Sequence, residues 1–284
     1  MIIQISKNGI HFSELINVFL LFEFTFMPKK RPLILVTNDD GITAPGIRTL
    51  IEVMNTIGDV CVVAPDAPQS AMGHAITIND TLYCDKLKVA KDEPQTEYSC
   101  SGTPVDCVKL AVNEILKRKP DLCVSGINHG SNSSINVIYS GTMSAAVEAG
   151  TLGIPSIGFS LLDYSMEADF QPSKKYIELL VKQCLKNGLP TGVVLNVNIP
   201  KLPSKEIKGI KVCRQANAHW EENFDKRTNP LGRDYYWLTG EFVNNDKGED
   251  TDEWALHNGY VSVVPVQFDL TAHHAIKDIN TWDI

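Results

Sequence analysis

Two adjacent carboxylates stand at the end of a short apolar run near the beginning of the chain. Leu33–Thr37 is continuously apolar and β-rich, as expected for a strand buried on both faces, and Asn38, Asp39, Asp40 and Gly41 follow it directly. Neighbouring negative charges repel each other and lose hydration on burial, so they require a compensating positive charge. A divalent cation is the natural compensation, whereas helix capping or a turn would explain one aspartate but not both.

Oxygen donors also follow the second and third apolar runs of the chain. The turn Pro65–Ser70 ends in a serine, and the turn Ser125–Gly130 contains Asn128. Open α/β sheets bind ligands outside the carboxyl ends of their strands, so we expect these turns to converge on one edge. Carboxylate, hydroxyl and amide oxygens suit a hard ion such as Mg²⁺ or Mn²⁺ and argue against a structural zinc. From the sequence alone, an ordinary loop hydroxyl is a strong alternative for Ser70, and a turn residue is one for Asn128.

A run of small polar residues opens a predicted helix further along the chain. Tyr139, Ser140, Gly141 and Thr142 lie at the start of this helix, which ends at Gly150. Free N–H groups and hydroxyls at a helix N-terminus attract anions, and small residues let a phosphate approach the backbone. A helix cap would explain this run on its own. Beside a metal site, the same run predicts a phosphate cradle.

Other polar motifs leave their roles open. Ser101–Thr103 stands at a second helix start, where capping and function are equally good explanations. His129 suits either a proton donor or a loop hydrogen bond, His74 lies in another motif loop, and His273 and His274 are expected at the surface. The chain lacks the G-x-x-x-x-G-K-[ST] phosphate loop, the G-x-G-x-x-G dinucleotide fingerprint and the G-x-S-x-G nucleophile elbow.

Short apolar runs alternate with amphipathic helices through the first two-thirds of the chain. The predicted strands are Leu33–Thr37, Asp59–Ala64, Leu122–Val124, Pro155–Phe159 and Val193–Val197, and the predicted helices begin near Pro45, Thr103, Thr142 and Ser173. This alternation predicts an α/β fold, a Rossmann-like parallel sheet flanked by helices in three layers (α/β/α). Residues 75–98 are expected to form a hairpin excursion.

The last third of the chain has a different pattern. Lys208–Arg214, Tyr235–Thr239 and Tyr260–Val266 are strand-like with no helix predicted between them. We therefore expect a β-rich C-terminal arm, in which residues 201–260 serve oligomerisation because uncovered strands commonly pair with another chain. The stretch Glu241–Glu253 holds six carboxylates and one lysine without the spacing of a calcium loop, and is expected to be a solvated loop.

The N-terminal segment is expected to stand apart from the domain. Residues 16–26 (INVFLLFEFTF) are strongly apolar, but they cover only about half of the ~20 residues that span a bilayer and lack a small-x-small cleavage site. A poor signal sequence and an interfacial helix are the alternatives to a non-native extension before Met27. We expect residues 1–30 to lie outside the native fold and residues 31–284 to form a single α/β domain. A chain that begins at Met27 should then fold and keep its activity.

Composition narrows the classes of function. Hydrophobic residues make up 43% and charged residues 21% of the 284 positions, which excludes disorder, collagen and coiled coil as whole-chain assignments. The formal net charge of −8 gives no general attraction for nucleic acid, so duplex binding is not expected. Seven cysteines occur without a C-x-x-C motif, mostly inside apolar runs, which fits a reducing compartment.

The chain resembles the SurE family of survival-protein nucleotidases. The resemblance rests on the ordered motifs Ile34–Ile47 (ILVTNDDGITAPGI), Val63–Ser70 (VAPDAPQS), Ser101–Asp106 (SGTPVD), Asp121–Asn132 (DLCVSGINHGSN) and Tyr139–Ala146 (YSGTMSAA), and it continues through Asn196–Pro200 and Gly259–Ala272. Ala71–His74 departs from the Ser/Gly-richer stretch of the family pattern, which bears on the shape of that loop. The first 26 residues have no counterpart in the pattern.

The resemblance implies a function and a ligand set. It implies 5′-nucleotidase activity on nucleoside monophosphates, a cytoplasmic location, and a homodimer or homotetramer that uses the C-terminal arm, with no membrane partner. It further implies that Asp39, Asp40, Ser70 and Asn128 bind one divalent metal cation per subunit. In this interpretation Asp39 or Asp40 assists as the catalytic base, and Asn128 with Ser140–Thr142 holds the phosphate.

Two alternatives to this mechanism remain at the level of sequence. An aspartyl-phosphate intermediate would use an aspartate after the first strand as nucleophile, but such phosphatases usually carry D-x-D-x-T, and Asp39 and Asp40 are adjacent. A non-catalytic metal-dependent nucleotide or phosphate sensor would use the same pocket without turnover.

Overall fold

The computed structural model describes residues 30–90, 92–165 and 167–284, and a nine-stranded sheet is its central feature. The strands are β1 (Leu33–Thr37), β2 (Asp59–Pro65), β3 (Cys84–Leu87), β4 (Thr96–Cys100), β5 (Leu122–His129), β6 (Ser156–Leu161), β7 (Val193–Ile199), β8 (Ile210–Val212), β9 (Ala218–Thr228), β10 (Asp234–Asn244) and β11 (Val261–Gln267). The helices are α1 (Pro45–Ile57), α2 (Pro104–Leu110), α3 (Gly141–Thr151), α4 (Lys174–Asn187), α5 (Asp252–His257) and α6 (His273–Ile279).

The main sheet is mostly parallel. Its strand order is β3-β4-β2-β1-β5-β6-β7-β11-β8, and the run from β4 to β7 is parallel throughout. Antiparallel pairs occur only towards its edges in the part of the chain that the structure describes, where β3 pairs with β4 and β11 pairs with β7. The predicted Rossmann-like parallel sheet flanked by helices is therefore confirmed.

Helices cover both faces of the sheet because the strands are apolar on both sides. Ile34 and Val36 of β1 pack into one buried cluster with side chains of α1 and α4, and Leu35 packs into a second with side chains of α2 and α3. At ~25 cal/mol per Å² of apolar surface buried, such fully buried strand residues contribute about 2 kcal/mol each. These two cores fix the position of β1, and with it the loop that follows.

The strand order reverses at β1. The chain passes from β1 to β2 on one side, and later returns to place β5 on the other side of β1. In a doubly wound sheet the crevice at such a reversal opens beyond the carboxyl ends of the two central strands. Asp39 and Asp40 follow β1, and Asn128 lies near the end of β5, so the topology brings the predicted ligands to this crevice.

The C-terminal third is only partly an arm. Strands β8 and β11 belong to the main sheet, and β9 and β10 alone form the separate two-stranded hairpin. The expectation of strands without an intervening helix is wrong, because α5 lies between β10 and β11. The strand predicted over Tyr235–Thr239 is longer in the structure, where β10 spans Asp234–Asn244. Its partner β9 was not predicted, because β9 is rich in charged residues.

The acidic stretch 241–253 is not simply a solvated loop. Asp252 is fully buried, and its carboxylate accepts hydrogen bonds from the backbone N–H groups of Ser134 (2.8 Å) and Ala216 (2.9 Å). Arg214 forms ion pairs with Asp246 and Asp250. These contacts fasten the base of the hairpin β9–β10 to the turn at Ser134.

The predicted excursion over residues 75–98 is also more regular than expected. Its second half forms β3 and β4, and β4 joins the main sheet parallel to β2, whereas the apolar piece 75–80 forms no strand. Hydrogen bonds to Asp106 from the backbone and hydroxyl of Thr77 hold that piece instead. The expectations for residues 1–29 fall outside the described residues.

No helix in the described ranges combines the length and the apolar character needed to cross a bilayer.

Candidate active site

Asp39 lies at the centre of the crevice with its carboxylate against helix α3. Only 5% of the residue is exposed. The hydroxyl of Thr142 donates a hydrogen bond to Oδ1 of Asp39, and the Thr142 backbone also bonds to this side chain. Burial raises the pKa of Asp39 from 3.8 to about 6, the Thr142 hydrogen bonds oppose this rise, and the charge of Asp40 adds to it. Among the described residues, the groups that act most strongly on this carboxylate include no cationic side chain.

Asp40 faces the end of β5. Its Oδ2 accepts a hydrogen bond of 3.3 Å from the backbone N–H of His129. Burial raises the pKa of Asp40, and the His129 ring opposes the rise through its charge. A buried acid and a partly buried neighbour, both with raised pKa values, are electrostatically unfavourable in the ionised state, and a bound cation relieves this condition.

Asn128 presents its amide oxygen at the same edge. The pairing register of β5 with β6 shifts between Ser125 and Asn128. Irregularities of this kind change the direction of side chains near the end of a strand. The amide nitrogen of Asn128 donates to the carbonyl oxygens of His129 (3.1 Å) and Gly130 (2.9 Å). The nitrogen is therefore committed to the backbone, and the amide oxygen is the atom left to act as a ligand.

Ser70 is exposed, on a turn tied to the first loop. The backbone N–H of Gln69 donates to the carbonyl oxygen of Asp39 (2.7 Å), and the N–H of Ile42 donates to that of Pro65 (2.9 Å). Gly41 adopts a φ of +99°, a conformation that L side chains rarely adopt, and so lets the loop after β1 turn back against the loop after β2. These bonds hold the turn that carries Ser70 beside Asp39.

The N-terminus of α3 reaches the same point. Ser140 caps the helix by accepting a hydrogen bond of 3.0 Å from the N–H of Met143. A Cβ atom on Gly141 would lie 2.7 Å from Cβ and 2.9 Å from Oδ2 of Asp39, so only glycine permits this close approach. The geometry gives Thr142 a contact with Asp39 that the sequence did not predict, while the role of Ser140–Thr142 in holding a phosphate stays a prediction.

The oxygen donors fit a hard divalent cation. Asp39 and Asp40 offer carboxylates, and Asn128 and Ser70 offer neutral oxygens, a set typical of Mg²⁺ or Mn²⁺. Asn38 is fully buried beside them, and its Oδ1 has no hydrogen-bond partner among the described residues. In the described part of the chain, no three or more His, Cys, Asp or Glu side chains lie together in a way suited to a metal. A metal at this candidate site would therefore depend on the neutral ligands as well as on the two carboxylates.

The alternative polar motifs have structural roles. Thr103 caps α2 in a reciprocal capping box with Asp106, and the Ser101 hydroxyl accepts a hydrogen bond from the Tyr83 N–H. The ring of His129 lies 3.1 Å from the Ser165 carbonyl oxygen and packs edge-on against Phe170. These contacts favour the capping explanation for Ser101–Thr103 and the loop hydrogen bond for His129.

The remaining histidines of these motifs lie beside carboxylates. His74 lies 3.0 Å from the carboxylate of the buried Glu148, which Lys109 contacts at 2.6 Å. This cluster links the loop after Ser70 to α3. His273 lies 2.7 Å from the exposed Asp269, as the surface expectation requires.

Comparison with known proteins assigns the chain to a protein family. A family profile described as "Survival protein SurE" matches residues 34–222. The chain belongs to the SurE family. The sequence resemblance to this family is thereby confirmed.

Relatives in this family match over nearly their whole length. A protein named "5'-nucleotidase SurE" from Christiangramia forsetii is 76% identical, covering 91% of this chain and 99% of its own. A protein of the same name from Flavobacterium johnsoniae is 73% identical, and the match again covers 91% of this chain and 99% of the relative. The crystal structure of the SurE protein from Aquifex aeolicus superposes with a TM-score of 0.76 at 42% identity, covering 88% of this chain and 98% of its own.

The raised pKa of Asp39 predicts how the stability of the metal-free protein depends on pH. The folded state holds the proton of Asp39 up to about pH 6, whereas the unfolded chain releases it near 3.8. Folding stability should therefore fall as the pH rises through this interval, by about 3 kcal/mol at 1.36 kcal/mol per pKa unit. In EDTA, urea unfolding of the wild type should therefore lose about 3 kcal/mol more over this pH interval than unfolding of Asp39→Asn, which keeps all the other titrating acids. An equal fall in both proteins would assign the effect to other acids.

Proposed function

We propose that this chain is a divalent-metal-dependent 5′-nucleotidase, which hydrolyses nucleoside 5′-monophosphates to nucleoside and phosphate. The observation that carries the proposal is the contact between the carboxylate of Asp39 and the N-terminus of α3 at the reversal point of the sheet. Acidic side chains that could hold a metal, next to backbone donors suited to a phosphate, support this activity. The names of the relatives agree with this chemistry.

Asp39, Asp40, Ser70 and Asn128 would hold one Mg²⁺ or Mn²⁺ ion. When bound, the cation supplies positive charge that polarises the phosphate and offsets the charge developing in the transition state. Burial of Asp39 supports this assignment, since electrostatic interactions are stronger in a crevice that excludes water. The Thr142 hydroxyl orients Asp39 by donating to one of its oxygens.

The protein's own groups would divide the remaining work. Ser140–Thr142 hold the phosphate at the helix N-terminus, where the helix dipole favours a dianion. Asn128 adds a further polar contact to the phosphate. Asp39 or Asp40 accepts a proton from the attacking water as the water oxygen bonds to phosphorus and the bond between phosphorus and the ribose oxygen breaks. The departing ribose oxygen takes up a proton from solvent, which gives the free nucleoside.

Phosphate release from a nucleotide panel tests the proposal against the sensor alternative. The wild-type protein should release phosphate from AMP, GMP, CMP and UMP in the presence of Mg²⁺ or Mn²⁺. The same assay with the 3′-monophosphates and polyphosphate measures the preference for the 5′ position. A sensor would bind the nucleotides without releasing phosphate, and that result would overturn the proposed activity.

We expect the protein to assemble as a homodimer or homotetramer through residues around Tyr235–Glu253. On hairpin β9–β10, the apolar side chains of Phe224 and Tyr236 are each more than half exposed. Exposed apolar patches of this kind mark interaction surfaces. Light scattering at micromolar concentration should give a mass of at least two chains, and Phe224→Ser combined with Tyr236→Ser should lower it. A wild-type monomer would contradict the expected assembly.

A cytoplasmic location agrees with the chemistry of the cysteines. All seven are free thiols, and six of them are buried. Thiols used as small core residues persist in reducing compartments.

A further inference from the structure

A cavity of about 530 Å³ opens next to the candidate active site. It is lined by Ala71, Tyr139, Trp220, Glu222, Leu238 and Thr239–Gly240. Ala71 follows Ser70 directly, and Tyr139 precedes Ser140 directly. Since neighbouring Cα atoms are about 3.8 Å apart, one rim of the cavity adjoins both the metal-ligand turn and the phosphate cradle. The opposite wall belongs to the hairpin β9–β10.

One short turn positions both aromatic walls of this cavity. Trp220 donates from its indole Nε1 to Oδ1 of Asn136 at 2.8 Å, and its ring packs edge-on against Phe242 at 5.5 Å between centroids. The N–H of Tyr139 donates to the Asn136 carbonyl oxygen at 3.1 Å. Asn136 therefore fixes the indole through its side chain and the tyrosine through its backbone.

The rings remain accessible although their positions are fixed. Tyr139 is 49% exposed and Trp220 is 42% exposed. The backbone of Ala71 lies in the left-handed region with a φ of +57°, which is uncommon for a residue other than glycine and tends to occur at ligand sites. The Gly73 N–H donates to the Tyr139 carbonyl oxygen at 3.2 Å and thus links this strained turn to the tyrosine.

We propose that this cavity is the nucleobase subsite of the enzyme, where the base of the substrate stacks on Tyr139 and Trp220 and an amino group on the base edge donates to Glu222. The proposal rests on the proposed nucleotidase function, because adjacency to the phosphate cradle determines which part of the substrate reaches the cavity. Stacking on aromatic rings accepts every base, since every base has a π face. The Glu222 carboxylate only accepts hydrogen bonds, which favours amino-bearing adenine, cytosine and guanine over uracil.

Adenosine binding tests the subsite without depending on catalysis. Adenosine carries the base and lacks the phosphate, so its dissociation constant, measured by calorimetry, reports on the cavity even if the protein releases no phosphate. Trp220→Ala and Tyr139→Ala should each weaken adenosine binding by roughly 5- to 140-fold, the range found for removing one stacking partner. Glu222→Gln should weaken adenosine binding more than uridine binding.

Trp237→Ala is the matched control for Trp220→Ala. Trp237 is 59% exposed and lies on the same hairpin, where it pairs with Asp225. Since side chains alternate between the two faces along a strand, Trp237 lies on the opposite face of the hairpin from Trp220. It should leave adenosine binding unchanged. As a second readout, Trp220→Ala should lower the ratio of kcat/KM for AMP to that for ribose 5-phosphate, which has the same phosphate ester but no base.

The other possible outcomes decide against either the subsite or the nucleotidase function, and they can be told apart. Wild-type protein that releases phosphate from AMP but does not bind adenosine, or Trp220→Ala and Tyr139→Ala proteins that bind it as the wild type does, would overturn the proposal. A lower mass of Trp220→Ala in light scattering with unchanged adenosine affinity would identify the cavity as a contact between copies of the chain. Wild-type adenosine binding without phosphate release would instead refute the nucleotidase function and leave a nucleoside-binding cavity.

Discussion

Replacing Asp39 by asparagine is expected to reduce phosphate release from AMP by roughly a hundredfold or more, the effect of losing about 3 kcal/mol of transition-state stabilisation. The substitution keeps the volume of the side chain and removes one anionic ligand from the crevice. Because Asp39 is buried beside Asp40, the loss of its charge also relieves repulsion. The metal-free variant should therefore be at least as stable as the wild type at neutral pH, while calorimetry should show weaker Mn²⁺ binding.

Two further variants separate ligand loss from a general change in charge. Asp66→Asn removes the exposed carboxylate that begins the turn after β2, and it should leave the rate close to that of the wild type. Asn128→Ala should have an effect between the two, since water can replace a neutral ligand. Near wild-type activity of Asp39→Asn would show that Asp39 is not a ligand of the catalytic metal.

Replacing Gly141 by alanine is expected to have a comparably large effect, without any change in charge. The added Cβ would lie 2.7 Å from Cβ of Asp39, so the helix N-terminus and the carboxylate must separate. Forcing a methyl group into a packed site costs about 1–3 kcal/mol of stability. The separation also displaces the backbone donors from the carboxylate, and a misplacement of about 1 Å can cost roughly a hundredfold in rate.

Gly150→Ala on the same helix is the matched control for this steric effect. Its Cβ would lie 2.5 Å from a methyl carbon of Val194 in the core, far along the helix from Asp39. Both variants should lower the midpoint of urea unfolding, but only Gly141→Ala should lose activity and inhibition by inorganic phosphate in the folded state. Equal kcat/KM values for the two folded variants would show that the contact between Gly141 and Asp39 has no catalytic role.

The arrangement of the fold was largely accessible from the sequence because its strands are buried on both faces. Leu33–Thr37 is apolar at almost every position. This continuous apolar character predicts a strand, and it also explains why the strand lies in the middle of the sheet, where both of its faces are buried. The strand β9 was missed for the opposite reason: most of its residues are exposed and many are charged, so neither alternation nor hydrophobicity marks it. The buried carboxylate of Asp252 accepts hydrogen bonds from the backbone N–H groups of Ser134 and Ala216. These partners are distant in the chain, so no local sequence pattern predicts the burial of Asp252.

For the site, the sequence predicted the candidate residues but not their contacts. Residues that follow parallel strands lie at a common edge, which explains why Asp39, Asp40 and Asn128 could be grouped in advance. The contact of Thr142 with Asp39 spans 103 residues and depends on how closely α3 packs against the sheet. The only local signal for it is glycine at position 141, whose necessity becomes clear once the distance to Asp39 is known.

The rate of phosphate release from AMP during a titration of metal-stripped protein with Mn²⁺ tests the central claim most directly. Protein treated with EDTA should be inactive. Activity should return in proportion to added Mn²⁺ and level off at one equivalent per subunit, while Asp39→Asn should regain little at the same concentrations. Full activity of the wild type in EDTA, or equal recovery of Asp39→Asn, would contradict a metal-dependent centre at Asp39 and Asp40.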